Sequence, residues 1–259
     1  MLRHGKLLLL YLAFFPNVAR TFVILGLKRT CVACKVGRDH VGQTPPPLAV
    51  RWPLAVLRGL ELERGEETVV GLYKTGFRML SVTVDTPGFE EVLVKCCRLE
   101  LPGMTIGASS VTTPLQVDTA FKCGAKFVSS MSLDSAVVRR TKEWGMLSIP
   151  GVATEAQAIA AIAAGGDILK VFPACTIPPT TVHKIVDVSS SVPVIVAGGV
   201  EVADLKTFSS AGVTSFAVGR TLFTPEMTLA AVRSRASSFM REGNLLPWRE
   251  QRDTQDTAR

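Results

Sequence analysis

The chain has 259 residues, of which 47% are hydrophobic, 20% charged and 7% aromatic, and its formal net charge at pH 7 is +7. That length can bury one large core, and a single α/β barrel typically takes about 250 residues. The basic residues are scattered and few aromatic residues are available for base stacking, so we expect no nucleic-acid partner. A basic barrel mouth would suit an anionic substrate.

The first 50 residues differ from the rest. Residues 1–38 contain several Lys and Arg but no Asp or Glu, and their apolar run Leu7–Phe15 is too short to span a membrane. The basic start resembles a secretory signal, and the acid-free stretch resembles an organelle presequence. The alternative is that the start of the gene was assigned too far upstream. We expect residues 1–50 to be a targeting segment that ends in the linker Gly42–Pro47. The chain would then reach a mitochondrion or plastid with no membrane contact in its mature form, and otherwise stay in the cytoplasm.

The cysteines and histidines give no sign of a metal or redox centre. The six cysteines form no regular framework, which indicates reduced thiols. The lone pair Cys31 and Cys34 has no second pair and no His partner, and the three histidines lie far apart in sequence. We expect no metal and no cofactor.

From residue 51 onward the chain repeats. Four segments share a helix end, a glycine and a short strand, and their glycines, at 76, 124, 166 and 212, fall at nearly equal intervals. Half an interval is one strand plus one helix. The segments are Tyr73–Val84, Phe121–Ser132, Ala163–Ala174 and Ser209–Arg220.

Four more strands lie between or before these segments: Pro53–Arg58, Met104–Ala108, Met146–Gly151 and Val192–Gly199. Eight alternating strands and helices predict a single α/β domain, a (β/α)8 TIM barrel over residues 51–241, followed by a polar tail at 242–259. An open doubly wound sheet would need a glycine-rich fingerprint after the first strand, and residues 59–67 do not supply one.

Lys170 is the first candidate for chemistry. It lies in the apolar run Ile168–Pro173, and the alternation of side chains along a strand places it on one face with Ile168 and Phe172. If that face lines the barrel, burial lowers the pKa of the ammonium and leaves a nucleophilic amine. The alternative is a lysine near a strand end whose amine reaches solvent.

Glycines close the last two strands, as Gly198-Gly199 and as Gly219 before Arg220. Barrels often bind phosphate in these two loops, where glycines let backbone N–H groups approach the anion and an arginine adds charge. The alternative is two tight turns with a surface arginine.

Several motifs together resemble the KDPG/KHG aldolases, class I lyases, and come closest to their plant-type branch. They are Arg78–Val82, Thr86–Gly88, Gly124–Phe127, Ser148–Gly151 and Lys170–Pro173. The resemblance runs in order from about Pro53 to the helix after Arg220. It implies a homotrimer without cofactor.

The resemblance also implies roles for individual residues. Lys170 would form the imine, Phe172 would pack on the bound pyruvyl group, and Arg58 would meet an anionic group of the substrate. Ser110 stands where the family usually has a threonine. Gly198, Gly199, Gly219 and Arg220 would bind phosphate.

The chain departs from the family at the general base. The family's glutamate is Ser81 here, and the arginine that some members place four residues later is Asp85. A positioned acid or base is worth about 10²- to 10⁴-fold in rate. We expect Asp85, directly or through a water, or Ser81 with a water, to replace it.

The sequence thus predicts a Schiff-base aldolase that cleaves a 2-keto-3-deoxy sugar acid phosphate, or 4-hydroxy-2-oxoglutarate, to pyruvate and an aldehyde. One alternative is a non-catalytic phosphosugar-binding barrel that has lost its base. Another is an enzyme resembling thiamine phosphate synthase, which would need acidic Mg²⁺ ligands at the strand ends.

Overall fold

The computed structural model describes residues 53–190, 192–244 and 246. The N-terminal extension, its CxxC pair and residues 247–259 lie outside the described residues. The targeting and linker segments therefore stay predictions.

Parallel strands and helices alternate along the described part of the chain. The strands are β1 Leu54–Leu57, β2 Met79–Thr83, β3 Thr105–Ser109, β4 Phe127–Ser129, β5 Leu147–Ile149, β6 Gly151–Val152, β7 Leu169–Val171, β8 Val194–Ala197 and β9 Ser215–Val218. The α-helices are α1 Gly65–Lys74, α2 Phe89–Cys97, α3 Pro114–Lys122, α4 Ser135–Glu143, α5 Glu155–Ala163, α6 Pro179–Val188, α7 Leu205–Ser210 and α8 Leu229–Asn244. Single turns of 3-10 helix, Ala174–Thr176 and Val202–Asp204, follow β7 and β8.

The sheet closes almost completely into a barrel. Its strand order is β5-β4-β3-β2-β1-β9-β8-β7-β6, with every neighbouring pair parallel. The outermost strands β5 and β6 are two halves of the predicted fifth strand, separated by Pro150. Proline has no N–H for the ladder, so the strand breaks there. The predicted α/β barrel is confirmed, with nine strand segments in place of eight.

Side chains alternate between two cores. Those that point outward pack with the helices, as Leu169 and Val171 do. Those that point inward form a separate apolar cluster in the barrel interior: Leu54, Met79, Phe127, Ile149, Ile168, Ile195, Ala197 and Ala217. Phe172 packs against this inner cluster. The face of β7 that carries Ile168, Lys170 and Phe172 therefore looks into the barrel.

The helix ends follow local sequence signals. Thr154 caps α5, as its position predicted, and its side chain accepts a hydrogen bond from the backbone N–H of Gln157. Gly76, Gly124 and Gly212 have positive φ, as expected of glycines that end helices. After α5 the prediction was off by one residue, because the left-handed residue is Gly165 rather than Gly166.

The barrel domain differs from expectation in its last helix and in its net charge. Helix α8 continues to Asn244, inside the segment predicted to be a polar tail. Basic and acidic residues are equal in number over 53–246, so the net charge of +7 comes from residues 1–52 and not from the barrel. None of the helices in the described part is long and apolar enough to cross a membrane.

Candidate active site

Lys170 is buried at the centre of the barrel. It is the middle residue of β7, where its Cα pairs in register with Gly151 on β6 and Ile195 on β8. Its neighbours along the strand face the helices, so its side chain enters the interior, where only 5% of it is exposed. The alternative of a lysine that reaches solvent was wrong.

The Lys170 ammonium has a hydroxyl partner and no carboxylate. Nζ donates to Ser129 Oγ on β4 at 2.7 Å and lies 5.6 Å from the centre of the Phe172 ring. Within the described residues no Asp or Glu pairs with it. Burial without a counter-charge lowers the pKa of Lys170 from 10.5 to about 7. A large fraction of the amine is therefore neutral, and nucleophilic, at physiological pH.

Ser81 lies on the inner face of β2 and is fully buried. Its hydroxyl accepts a hydrogen bond from Ser109 Oγ on β3. A hydroxyl cannot act as a carboxylate base at neutral pH, so the position of the expected glutamate offers no charged acid or base. The catalytic role of Ser81 stays a prediction.

Arg58, Asp85 and Ser110 meet at the rim, beyond the ends of β1, β2 and β3. Arg58 forms an ion pair with Asp85 through Nη1, and its Nη2 donates to Ser110 Oγ at 3.1 Å. Both charged side chains are 51% exposed. Asp85 thus turns toward Arg58, and no hydrogen bond or ion pair joins it to Lys170 in the described part of the chain. Ser110 reaches Arg58 from a left-handed backbone conformation, with φ of 60°.

The turn Gly198-Gly199 lies beside the lysine strand. Both residues have positive φ, of 88° and 72°. A Cβ atom on Gly198 would lie 2.7 Å from the Phe172 ring, and one on Gly199 would lie 2.7 Å from the Cys175 side chain. Only glycine fits at either position, so the turn packs tightly against the loop that follows β7.

The ends of β8 and β9 present unused hydrogen-bond donors. The backbone N–H groups of Gly198, Gly199 and Arg220 donate no hydrogen bond to any described residue. Gly199 and Arg220 are exposed, and Gly219 leaves the space beside it open, with no heavy atom nearer than 3.8 Å to the position of a Cβ. This part of the rim can accept an anion.

Two interior serines were not recognised as functional candidates. The sequence motifs single out neither Ser109 nor Ser129, yet Ser129 is the partner of Lys170 and Ser109 the partner of Ser81. The sequence signal that could have identified them is a polar residue at an inward position of an otherwise apolar strand.

Over residues 53–246, apart from the undescribed 191 and 245, no three His, Cys, Asp or Glu side chains form a group that would hold a metal ion.

Comparison with known proteins identifies this arrangement. The model of the KDPG and KHG aldolase family matches residues 53–231. The "Probable 2-dehydro-3-deoxy-6-phosphogalactonate aldolase" of Rhizobium meliloti (strain 1021) is 33% identical over 193 residues, covering 74% of this chain and 91% of the relative. The 2-dehydro-3-deoxy-6-phosphogalactonate aldolase of Escherichia coli (strain K12) is 27% identical over 200 residues, covering 77% and 95%.

A solved structure agrees with the relatives. The fold superposes on a native KDPGal structure with a TM-score of 0.73 and 26% sequence identity, covering 78% of this chain and 97% of that one. The family match spans the barrel from β1 into α8, and therefore includes Lys170 and both glycine turns. The chain belongs to the KDPG and KHG aldolase family and is a carbon–carbon lyase.

Proposed function

We propose that the chain is a class I aldolase in which Lys170 forms an imine with the ketone of a 2-keto-3-deoxy sugar acid phosphate. The observation that carries this proposal is a buried amine with a pKa of about 7 and no carboxylate partner in the described structure. Among such substrates we favour 2-dehydro-3-deoxy-6-phosphogalactonate, because two relatives covered over more than nine-tenths of their length carry that name. 4-Hydroxy-2-oxoglutarate is the second candidate, and the oligomeric state stays a prediction.

The reaction begins at the lysine nitrogen. Neutral Lys170 attacks C2 of the substrate, and loss of water leaves a cationic iminium. The C3–C4 bond then breaks, its electron pair moves into the iminium, and the proton of the C4 hydroxyl leaves as the aldehyde forms. The resulting enamine takes a proton at C3, and hydrolysis of the imine releases pyruvate and restores the amine. The iminium supplies the electron sink, so the cleavage needs no metal.

The rim would bind the two anionic ends of the substrate. Arg58, on the β1 side, suits a carboxylate, which would compete with Asp85 for the guanidinium. The free N–H groups of Gly198 and Gly199, together with Arg220, suit a phosphate. Phe172 lies between the lysine and this turn, where it would pack on the substrate carbons.

Asp85 is our candidate for the missing acid or base. Once a substrate carboxylate takes its place on Arg58, the Asp85 carboxylate is free to accept the proton of the C4 hydroxyl, directly or through a water. Ser81 with a water is the weaker candidate, because its hydroxyl is uncharged at neutral pH and is a much weaker base than a carboxylate.

Reductive trapping tests the imine. Sodium borohydride added with saturating pyruvate should attach one pyruvate, less one oxygen atom, to Lys170, as read by peptide mass spectrometry. Lys170→Met should trap nothing, whereas Lys184→Met, which removes an exposed lysine on α6, should trap as the wild type does. An unmodified Lys170 in folded wild-type protein would refute the mechanism.

The same variants address the alternatives. Sugar phosphate binding without turnover, unchanged in Lys170→Met, would select the non-catalytic barrel, which the comparisons do not favour. The hypothesis of a thiamine phosphate synthase-like enzyme loses its support, because the family match is to aldolases and Asp85, the acid just beyond β2, pairs with Arg58.

A further inference from the structure

Three serines line the inner face of neighbouring strands. Ser81 on β2, Ser109 on β3 and Ser129 on β4 are each at most 2% exposed. Ser109 donates to Ser81, and the Cα atoms of Ser109 and Ser129 are partners in the register of β3 and β4. The barrel interior therefore contains a band of hydroxyls on the side where the aldolase family carries a glutamate.

Ser129 is the member of this band that touches the lysine. Its Oγ accepts a hydrogen bond from Lys170 Nζ at 2.7 Å. A serine hydroxyl has one proton to give and two lone pairs that accept, so Ser129 retains its own proton while it binds the amine. It can take a proton from nitrogen and hand its own proton to a nearby oxygen in the same step.

Imine formation needs that transfer. When the neutral amine attacks a ketone, the new N–C bond leaves a positive charge on nitrogen and a negative charge on the former carbonyl oxygen. A proton must then move from nitrogen to oxygen before water can leave. These two atoms are bonded to the same carbon, so a group within hydrogen-bond distance of the nitrogen can reach the oxygen without a change of position.

We propose that Ser129 is a catalytic residue of the imine-forming step. Its Oγ accepts one proton from the Lys170 nitrogen while its hydroxyl proton passes to the C2 oxygen, which converts the charged adduct into the neutral carbinolamine. Ser129 ends the step as the hydroxyl it began as, so no other acid, base or co-reactant is needed. The inference rests on the proposed function, since it assigns a further residue to that reaction.

The surroundings favour a hydroxyl in this role. With Ser81 in place of the glutamate, the described interior offers the amine no carboxylate, and Ser129 is its one hydrogen-bond partner among the described side chains. A neutral hydroxyl accepts a hydrogen bond from the amine without adding a negative charge that would stabilise the ammonium.

The test measures the rate of imine formation, by quenching pyruvate reactions with borohydride at successive times and at several pH values. Ser129→Ala should slow trapping at Lys170 about 10²-fold, the lower end of the range for a positioned proton-transfer group. It should also move the pH profile to lower pH, because the ammonium loses the hydroxyl that accepts its hydrogen bond. Ser129→Thr, which keeps the hydroxyl, should stay near the wild-type rate.

Two further variants keep the test decisive. Ser129→Val has the shape of the threonine variant without its hydroxyl, and it should be as slow as the alanine variant. Ser215→Ala removes another buried serine, on the inner side of β9, that makes no hydrogen bond to Lys170, and it should leave trapping unchanged.

The outcomes separate the two proposals. Wild-type trapping rates and an unshifted pH profile in both Ser129→Ala and Ser129→Val would overturn the role of Ser129 and leave the Schiff-base mechanism standing. A wild-type protein that traps no pyruvate at all would overturn the proposed function, and the role of Ser129 with it.

Discussion

The two charged regions of this site are built in opposite ways. Lys170 lies inside the barrel, 5% exposed, with a neutral hydroxyl as its partner. Arg58 lies at the rim, half exposed, with the carboxylate of Asp85 as its partner. Both are basic side chains of the barrel, yet the buried one has no counter-charge among the described residues, whereas the exposed one keeps its counter-charge in contact with water.

The difference matches what each cation would do. Burial without a counter-charge penalises the ammonium and makes the lysine a nucleophile. Exposure weakens the Arg58–Asp85 ion pair, because water screens it, so a substrate anion can replace the aspartate at little cost. In the proposed mechanism, reactivity comes from the desolvated region and recognition from the hydrated one.

Lys170→Met gives the largest expected effect. Activity should fall to background in a steady-state aldolase assay, because no other group in the described interior can form the imine. Lys184→Met is the matched control and should keep full activity. A Lys170→Met protein with more than a small residual rate would show that the buried region is not the source of reactivity.

The same variant should reveal what burial costs in stability. The pKa of Lys170 is about 7 in the folded protein and 10.5 for an ordinary lysine. Between these values the unfolded chain binds more protons, so the free energy of unfolding should rise with pH by up to about 1.4 kcal/mol per pH unit. Below pH 7 the penalty is complete.

Lys170→Met has no such penalty. It should therefore be more stable than the wild type by a few kcal/mol near pH 7, and the gap should close toward pH 10. Urea unfolding at several pH values measures this, with Lys184→Met again as the control because an exposed lysine carries no burial penalty. A gap that does not vary with pH would contradict the assigned burial of the charge.

The rim should supply the second largest effect, through Asp85. If Asp85 accepts the proton of the C4 hydroxyl, Asp85→Asn should lower kcat about 10²-fold and leave pyruvate trapping at Lys170 intact. Ser81→Glu in that background should restore part of the lost kcat, since it returns a carboxylate to the family's position. Ser81→Gln, of the same size and without charge, should not. If Asp85→Asn kept the wild-type kcat, Asp85 would act only as the counter-ion of Arg58 and not as an acid or base.

Much of the interior region was predictable from the sequence. The alternation of Ile168, Lys170 and Phe172 in a short apolar run already placed these three side chains on one face of a strand, because a period of two is local. The glycine turns after β8 and β9 were likewise visible, since they need only the residue types and the strand count. The fold followed from repeated local patterns.

The partners of these residues were not predictable. Ser129 meets Lys170 only because the barrel nearly closes, which brings β4 and β7 to either side of the broken strand β5 and β6. Asp85 turns to Arg58 because the chain leaves β2 through a turn in which Thr86 Oγ1 contacts Thr83 Oγ1 and accepts from the N–H of Gly59. Such contacts depend on closure and loop geometry, which no local pattern encodes.

Arg58→Met gives the smallest expected effect. Removing a half-exposed ion pair should change the free energy of unfolding by less than about 1 kcal/mol. The KM for the sugar acid phosphate should nevertheless rise about tenfold, equivalent to roughly 1.4 kcal/mol of binding, with kcat reduced much less. Arg58→Lys keeps a positive charge but lacks the planar guanidinium, so its KM should lie between those of the wild type and Arg58→Met. If Arg58→Met instead lost stability while KM stayed constant, the rim pair would be structural, and the division between a reactive interior and a recognising rim would fail.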